Sequence, residues 1–368
     1  MAQLPTVEDV ARVASVSRQT VSNVLNSPHV VKAATRERVE AAILELGYRQ
    51  NASARRLRTR KSATLGIRLD PMTDGISGSI LDRFLHALTE QADDRGMRVM
   101  LFTASGPQGE IDQISRLRDG ADVDAFVLTS TFHGDPRTEW LIANDVPFVT
   151  FGRPWGIDDM NDPQHLWVDV DGAAGTRAAT EHLIDTGARR ILYVGWPSPS
   201  GTGDDRRRGW ESAMRERLGC SDADLDGLHV TADEGVVQGS AAVSPLLAAL
   251  PAPDAIVCVS DSLALGAMTA AASAGLSGLP IVGFDNTPVA AAVGLSSVEQ
   301  CLGDVAAGAL ELLMGSTGND IVGADLSPGE AHRLITPELV IRSPRHLPLF
   351  DRAAATNAPG NHEERERP

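Results

Sequence analysis

The chain has 368 residues and a formal net charge of −16, and a chain of this length can bury the cores of two or three domains. Its three cysteines, Cys220, Cys258 and Cys301, are isolated and lack the spacing of a disulfide framework or a metal site. We find neither a signal peptide nor an apolar run of membrane length, so we expect a cytoplasmic protein in a reducing compartment.

The charge is segregated along the sequence. Residues 1–62 contain 11 Lys or Arg and five Asp or Glu, a net charge of +6, which leaves −22 on the remainder. A solvated charged surface would explain the acidic remainder but not the segregation. A cationic head on an anionic body orients the head toward a polyphosphate such as nucleic acid and keeps the body away from it.

Two short helices joined by a tight turn are predicted at the start of the chain. Thr6 and Asp9 form a capping-box pattern, and Ser17 is a second N-cap candidate. Apolar or small residues recur at helical spacing in two runs, Val7, Val10, Ala11 and Ala14, then Thr20, Val21, Val24 and Leu25. The second run leaves four polar side chains on the outer face: Arg18, Gln19, Ser22 and Asn23. This layout is typical of a helix-turn-helix, whose second helix reads base edges in the major groove.

The neighbouring segments favour DNA binding over an ordinary three-helix domain, which would show similar caps. Residues 33–46 predict a third helix, with Gly47 as its C-terminal stop. The next stretch, 51–58, is compatible with a short helix, and it belongs to a basic run that contains Arg55, Arg56, Arg58, Arg60 and Lys61. Leu57 has little apolar surface to bury against in such a segment.

The N-terminal region closely resembles the LacI/GalR family of bacterial transcription regulators in four segments: DVARVASVSRQTVSNVLN, TRERVEAAILELGY, the hinge NASARRL and the opening strand LGI. The match continues to about Pro344. In that family the hinge helix forms only on operator DNA and inserts a leucine into the minor groove, a position that falls on Leu57 here. An apolar wedge that kinks the duplex requires two adjacent hinges, so the resemblance implies a dimer on double-stranded operator DNA.

The resemblance also assigns DNA contacts to individual residues. The base-reading positions fall on Arg18, Gln19 and Asn23, and Arg suits guanine whereas Gln and Asn suit adenine. Positions that contact the DNA backbone fall on Thr6, Ser17, Ser22 and Asn26. From the hinge we add Asn51 and Arg55. Lys32 replaces the serine that often caps the third helix, and it is suited to meet a phosphate, which leaves the capping of that helix open.

From Leu65 onward, apolar strand-like runs alternate with helices, which predicts two α/β units with buried parallel sheets. The first has strands at 65–69, 98–102, 125–128 and 148–151, with helices near 78–95, 111–120 and 137–144. The second has strands at 167–170, 191–195, 256–259 and 280–284, with helices near 172–186 and 206–218. Because ligands bind at the carboxyl ends of such strands, the two units predict a ligand cleft between them.

The fold class we expect is therefore α/β, with a helix-turn-helix headpiece at 1–50, a hinge at 51–62 and a two-lobed core at 63–345. The resemblance implies that this core is periplasmic-binding-protein-like, with parallel sheets and three crossovers of the chain between its lobes. The first lobe would comprise about 63–166 and 295–325, and the second about 167–294 and 326–345. Residues 346–368 are polar, without an apolar period, so we expect a disordered tail. Because no leucine heptad is visible there, we favour a homodimer over a tetramer.

Several effector-binding residues follow from the same resemblance. In sugar-binding members an arginine three residues before a Gly-aromatic pair clamps ligand hydroxyls, and Arg206 holds that position before Gly209 and Trp210. Asp285 matches a ligand-binding acid, with a helix cap or turn as the alternative, and Asp171 matches a ligand-facing edge. The pair Ser260 and Asp261 stands where Asn-Asp is common. The lost amide weakens the expected contact at Ser260, and Asp261 is either an N-cap or a ligand acid.

Aromatic residues supply a further, independent indication of a polyol ligand, because a Trp ring packs flat against sugar C–H groups while carboxylates and Arg bind hydroxyls. Trp155, Trp167 and Trp210 fall near predicted cleft edges, and Arg153 lies beside Trp155 at a crossover. Core packing is the alternative for each Trp. Trp140 fits the core better, and Trp196 is left open.

Together these features predict a transcription regulator, a repressor of sugar-uptake or glycosidase genes, controlled by a small sugar or oligosaccharide. The same architecture allows a nucleobase or phosphorylated-metabolite effector, or a corepressor. A different class, a solute-binding protein or sugar-acting enzyme on the same lobes, does not suit a basic headpiece. We find no Gly-Lys-Ser/Thr loop, no His-Glu metal motif and no Gly-x-Ser-x-Gly elbow, so we expect no enzyme activity, no catalytic residues, no cofactor and no metal.

Overall fold

The computed structural model describes residues 5–48, 61–70, 78–156, 160–249, 251–315, 321 and 329–342, the side chain of Asn26 excepted. The chain forms two compact units that divide between Ser62 and Ala63. This is the point at which the sequence pattern places the start of the core. None of the described helices combines the length and apolar character needed to cross a membrane.

The N-terminal unit contains α1 (Val7–Val13), α2 (Arg18–Asn26) and α3 (Ala33–Leu46), with a 3₁₀ turn at Pro28–Val30. Both predicted N-caps are confirmed. The amide of Asp9 donates to Thr6 Oγ1, and the Asp9 carboxylate accepts from the Thr6 amide at 3.0 Å. The amide of Thr20 donates to Ser17 Oγ at 3.1 Å. These caps fix where each helix begins, and therefore which side chains stand on the first turn of α2.

The two ends of α3 are built differently. Lys32 occupies the N-cap position but makes no side-chain cap bond, so no side chain at that position substitutes for the missing serine. At the other end Gly47 has φ 61°, in the left-handed region, and a Cβ built there would meet nothing within 4 Å. The backbone conformation alone therefore favours glycine at this stop.

A first six-stranded sheet is ordered β11-β5-β4-β3-β1-β2, and every pairing between its neighbours is parallel. Its strands are β1 (Thr64–Arg68), β2 (Arg98–Phe102), β3 (Ala125–Leu128), β4 (Phe148–Phe151), β5 (Trp167–Val170) and β11 (His332–Ile335). The helices connected with it are α4 (Gly78–Asp94), α5 (Gly106–Asp119), α6 (Pro136–Ala143) and α13 (Leu302–Met314). We call this sheet with its helices the first lobe.

A second six-stranded sheet is ordered β12-β10-β9-β8-β6-β7 and is parallel except where β12 pairs antiparallel to β10. Its strands are β6 (Ile191–Gly195), β7 (His229–Thr231), β8 (Ala255–Cys258), β9 (Ile281–Phe284), β10 (Ser296–Glu299) and β12 (Glu338–Val340). Its helices are α7 (Gly172–Asp185), α8 (Gly201–Leu218), α9 (Asp222–Asp226), α10 (Val236–Leu247), α11 (Asp261–Ser273) and α12 (Pro288–Val293). We call this the second lobe.

The expected fold class is confirmed, but three strands lie in the opposite lobe from the one predicted. Strand β5 pairs with β4 and β11 in the first sheet, although 167–170 was predicted to open the second lobe. Strand β10 belongs to the second sheet and β11 to the first, the reverse of the predicted boundaries at 295 and 326. An apolar run shows that a strand is buried on both faces, but hydrogen-bond pairing decides its sheet, and that pairing leaves no local signal. The chain crosses between the sheets after β5, after β10 and between β11 and β12.

Two helices of the core begin earlier than predicted. Helix α5 begins at Gly106, with Pro107 in its first turn, and not near 111. Helix α8 begins at Gly201, because Ser200 Oγ accepts from the Gly203 amide, and not near 206. The first turns of both helices lack apolar residues at core-facing spacing, so periodicity misses them, and their start signals are the proline and the serine cap.

Candidate functional sites

The start of α2 presents the residues predicted to read base edges. Arg18 and Gln19 are exposed, and Gln19 Nε2 donates to Asn23 Oδ1 at 3.0 Å one turn later. Arg18 Nε lies 3.0 Å from a carboxylate oxygen of Glu8 on α1, an exposed pair. The arrangement places one guanidinium and two amides on one helix face, the chemistry that suits guanine and adenine in the major groove.

The other predicted DNA contacts have varied surroundings. Thr6 and Ser17 serve as N-caps, Ser22 is half-buried, and Lys32 is exposed at the start of α3. Four predictions lie outside what the structure describes: the side chain of Asn26 and the hinge residues Asn51, Arg55 and Leu57.

A cavity of about 750 Å³ lies between the two lobes. Many of its lining residues lie at or just after the carboxyl ends of strands, where ligands bind in open α/β sheets, and the others lie in the N-terminal parts of α4 and α8. The first lobe contributes, among others, Asp70 after β1, Thr129 and Ser130 after β3, Gly152 after β4 and Asp169 in β5; the second contributes Trp196 after β6, Thr202 and Arg206 in α8 and Gln300 after β10. The volume is within the range of small-molecule sites.

Arg206 is the predicted effector residue that lines this cavity in the second lobe. Its Nη1 donates to the Val259 carbonyl at 2.6 Å, and its guanidinium carbon lies 3.6 Å from the centroid of the Phe284 ring. The second ring nearby is Trp196, with a centroid 5.6 Å away. Arg206 Nε is buried without a hydrogen-bond partner among the described residues. A donor fixed in this way is suited to a ligand hydroxyl or carbonyl.

Asp285 lies behind the cavity wall, at a φ of 113° immediately after β9. Its Oδ1 accepts from Gln300 Nε2 at 2.6 Å and lies 3.6 Å from Arg206 Nη1, and both of these partners line the cavity. Burial raises the pKa of Asp285 to about 8, while the Arg206 guanidinium acts in the opposite direction. Through its contacts with Gln300 and Arg206, Asp285 holds two wall residues in place.

Ser260 and Asp261 are both buried and serve the second-lobe framework. Ser260 caps α11 and donates to Glu234 at 2.8 Å. Asp261 accepts from the Thr287 amide at 2.7 Å and from Ser297 Oγ at 2.6 Å, which ties α11 to the loop after β9. Burial raises the pKa of Asp261 to about 6. Asp171 caps α7 by accepting from the Ala174 amide at 2.9 Å. None of the three is among the described residues that line the cavity. Ser260 and Asp171 are helix caps, whereas Asp261 lies in the first turn of α11, so its predicted N-cap role falls to Ser260.

Arg153 and Trp155 join the two lobes and are not among the residues that line the cavity, which corrects the prediction of direct effector contacts. Arg153 reaches Asp169 of the first lobe at 2.8 Å and Asp205 of α8 at 2.5 Å. Its guanidinium lies 4.4 Å from the centre of the Trp155 ring. That ring is seated on Gly201, where an added Cβ would come within 2.1 Å of it.

Trp210 was predicted to contact the effector, and the structure contradicts this. The ring is fully buried in the second lobe, where its Nε1 donates to the Ile191 carbonyl at 3.1 Å and the ring stacks on Tyr193. Trp167 is also buried and stacks on His332. Core packing, the alternative reading, holds for both.

Sequence reasoning left Trp196 open and missed the wall residues Asp70 and Gln300. Trp196 is half-buried, and its Nε1 donates to Glu234 at 2.6 Å. A usable signal was present, because Trp196 and Gln300 directly follow predicted or observed strands and Asp70 follows the first strand. Position after a strand end is a better guide to this cleft than residue type alone.

Comparison with known proteins identifies both parts of the chain. Residues 6–51 match the family model for bacterial regulatory proteins of the lacI family, and residues 180–343 match a periplasmic binding protein-like domain. The transcriptional regulator CelR of Thermobifida fusca is 34% identical over 297 residues, which cover 78% of this chain and 83% of that protein.

Two solved structures are similar over most of their length. A LacI-family regulatory protein from Chloroflexus aggregans has a TM-score of 0.68 and 33% identity, covering 76% of this chain and 98% of that one. A CelR–cellobiose complex has a TM-score of 0.62 and 28% identity, covering 92% and 99%. With its capped helix-turn-helix, its two-lobed core and a relative of this identity and coverage, the chain belongs to the LacI family of DNA-binding bacterial transcription regulators.

Proposed function

We propose that the protein is a repressor whose affinity for operator DNA is controlled by a sugar-like effector bound between the lobes. The observation that carries the proposal is the cavity wall, in which Arg206, Trp196 and Asp70 combine a fixed donor, an aromatic face and an acceptor. This combination suits vicinal hydroxyls on an apolar ring. The complex of the related CelR with cellobiose supports an oligosaccharide as the first candidate.

We further propose a homodimer that acts on chromosomal DNA in the cytoplasm. Two paired headpieces would place α2 of each protomer in successive major grooves, and Leu57 of each hinge would enter the minor groove between them. The effector would favour one arrangement of the lobes and so shift the equilibrium between operator-bound and free protein. It can do this only by its difference in affinity for the two states.

The test is a gel shift on DNA from upstream of neighbouring sugar genes, with sugars first screened by thermal shift on the full-length protein. We expect one retained fragment and one or a few oligosaccharides that release it. Arg206→Met should lower effector affinity at least tenfold and leave operator binding within twofold, because Arg206 lies in the core unit. Arg207→Met, on the next helix position and paired with Glu211, is the matched control. A variant at Arg206 that still responds to the effector like the parent would contradict the assigned site.

A further inference from the structure

We propose that the cleft takes uncharged polyhydroxyl effectors and rejects their anionic derivatives, and that Asp70 is the residue that sets this selectivity. The inference rests on the proposed function, because it names the chemical class that the effector site accepts. It excludes the phosphorylated and carboxylated metabolites that the family architecture would otherwise allow.

The charges around the cavity are unbalanced. Among the described residues that line it, the charged side chains are three carboxylates and one guanidinium: Asp70, Asp82, Asp169 and Arg206. Arg206 already faces Asp285 at 3.6 Å. Asp169 is held by Arg153, which has a second carboxylate partner in Asp205. The one guanidinium among the described wall residues therefore lies beside an acid, and carboxylates outnumber guanidinium groups along the wall.

Asp70 is held rigidly at the wall. Its Oδ2 accepts from Ser130 Oγ at 2.6 Å and from Thr129 Oγ1 at 3.4 Å, and its Oδ1 accepts from an Nη of Arg68. The side chain is 21% exposed, so it remains accessible from the cavity. By contrast, the side chain of Asp82 is 72% exposed, and its charge is screened by solvent.

A buried chain of charges stands behind Asp70. Arg68 Nε lies 3.1 Å from Glu110, and Glu110 lies 2.9 Å from Arg137. Glu110 and Arg137 are each 1% exposed at the side chain, and Arg137 also binds Asp135 at 2.6 Å. The members alternate in sign and begin and end with a carboxylate. One negative charge is therefore left over, and Asp70 is the member that reaches the cavity.

This series of ion pairs also returns to Asp70 through the loop after β3, which explains why the position of Asp70 is fixed. Arg137 donates to the carbonyls of Thr129 and Ser130 at 3.1 and 3.2 Å. These are the same two residues whose hydroxyls bind Asp70. Arg137 thus holds the loop after β3 by its backbone carbonyls, and the hydroxyls of the same loop donate to Asp70. Asp70 is a specificity-determining residue, and Arg137 and Glu110 are positioning residues.

A carboxylate at this position favours neutral ligands over anionic ones. A carboxylate whose remaining lone pairs face a cavity accepts hydroxyl donors well, but a second anion a few Å away is repelled strongly in a site that is partly shielded from water. A neutral sugar shares its ring skeleton with its phosphate ester and with its uronate. The charged member of each pair should bind at least about tenfold more weakly, a ratio that corresponds to about 1.4 kcal/mol.

The test uses calorimetry on the full-length protein with matched pairs of probes: cellobiose against cellobiose 6′-phosphate, maltose against maltose 6′-phosphate, and glucose against glucuronate. In the parent, the neutral member of each pair that binds should have at least tenfold higher affinity than its anionic partner. This affinity ratio should fall as NaCl rises from 50 to 500 mM. Asp70→Asn should reduce the ratio to about threefold or less. Asp112→Asn, the same change on an exposed acid of α5, should leave the ratio as in the parent.

The outcomes separate the two proposals. Binding of an anionic member as tightly as its neutral partner would overturn the inference while leaving a ligand-controlled regulator in place. A full tenfold ratio in folded Asp70→Asn would also overturn it, because the selector would then lie elsewhere. The parent measurements need no variant, so they decide the selectivity even if Asp70→Asn does not fold. If none of the neutral probes binds, the sugar-effector function and this inference fall together.

Discussion

At the residue scale, the headpiece contains a competition between an internal ion pair and DNA. Arg18 is paired with Glu8 at 3.0 Å, and both side chains are largely exposed. To reach a base edge or a phosphate, Arg18 must leave Glu8. Exposed pairs of this kind contribute only about 0.2–1 kcal/mol, so the cost of release is small but measurable.

Glu8→Gln should therefore raise operator affinity about two- to fivefold, since Arg18 is released and one repulsive charge is removed. Fluorescence anisotropy with a labelled operator measures this directly. Glu45→Gln, an exposed acid on α3, makes the same change in net charge at another place. An equal gain in both variants would mean that net charge, and not release of Arg18, is responsible.

A second residue-scale prediction concerns pH. His165 is buried beside Thr150 Oγ1 at 3.2 Å, and burial lowers its pKa from 6.5 to about 4. Between these values the unfolded chain binds a proton that the folded chain does not. The contribution of His165 is therefore complete above about pH 6.5 and is lost as the pH falls toward 4.

His165→Gln removes that titration. Relative to the parent, the variant should gain about 2 kcal/mol in its free energy of unfolding on going from pH 7 to pH 5. Urea unfolding of both proteins at the two pH values measures it. His86→Gln, at an exposed histidine of α4, should show no such gain. An unchanged difference between His165→Gln and parent would show that the imidazole titrates normally in the fold.

Residue-level prediction from sequence succeeded where the cause is local. The caps at Thr6 and Ser17 depend on side chains within three residues, so the sequence contains all the information. The roles of the tryptophans depend on distant partners. Trp210 packs in the core, where it stacks on Tyr193. Trp196 lines the cavity, where it contacts Arg206 and donates to Glu234. The neighbouring sequence separates them only by position, because Trp196 directly follows a strand whereas Trp210 lies within a helix.

At the element scale, α7 and α8 pack with almost no space between their backbones. Gly209 of α8 faces the Ala173 carbonyl of α7, and a Cβ at Gly209 would lie 2.0 Å from that oxygen. A backbone atom cannot move aside as a side-chain tip can. The pairing of the two helices therefore requires glycine at this crossing.

Gly209→Ala should lower the free energy of unfolding of the core by about 2–3 kcal/mol, because the helices must separate. Gly109→Ala in α5 is the matched control: it is also a helical glycine, but its Cβ would meet nothing within 4 Å. There alanine should stabilise by about 0.5–1 kcal/mol through helix propensity. Thermal unfolding of the two variants should move in opposite directions. A shift of the same sign and size would remove the argument from close approach.

The sequence predicts where most helices and strands lie, but it does not predict which of the two sheets each strand joins. The apolar pattern at 167–170 predicts a strand. The sequence WVDV, however, is compatible with either sheet. Its pairing with β4 places it in the first lobe, and β11, a strand more than 160 residues later, joins that sheet through β5. Long-range pairing of this kind is the part of the fold that local pattern does not encode.

At the scale of the whole molecule, the charge segregation and the proposed pairing of hinges make one prediction together. Light scattering at low micromolar concentration should give about twice the 39.0 kDa chain mass. Operator affinity should fall steeply with salt, because the basic segment neutralises several phosphates. A monomer that bound a palindromic operator with full affinity would contradict the paired arrangement.

The fold class was anticipated because a continuous set of short motifs covers most of the chain, whereas the lobe membership of three strands was wrong and the wall of the cleft was only partly anticipated. Arg206 was identified by its offset from Gly209 and Trp210. Asp70 was missed because its importance comes from Arg68, Glu110 and Arg137, which lie on three separate elements. Such a chain of charges exists only after folding.

The three passages of the chain between its lobes limit how this protein can be rebuilt. No single cut yields an intact lobe, because the fragment before Asp171 lacks β11 and the fragment after it lacks the five strands to which β11 belongs. An engineer who wishes to exchange one lobe of the core must splice at three junctions at once. A chimera joined at one point between the lobes would leave both lobes with incomplete sheets and should yield insoluble protein.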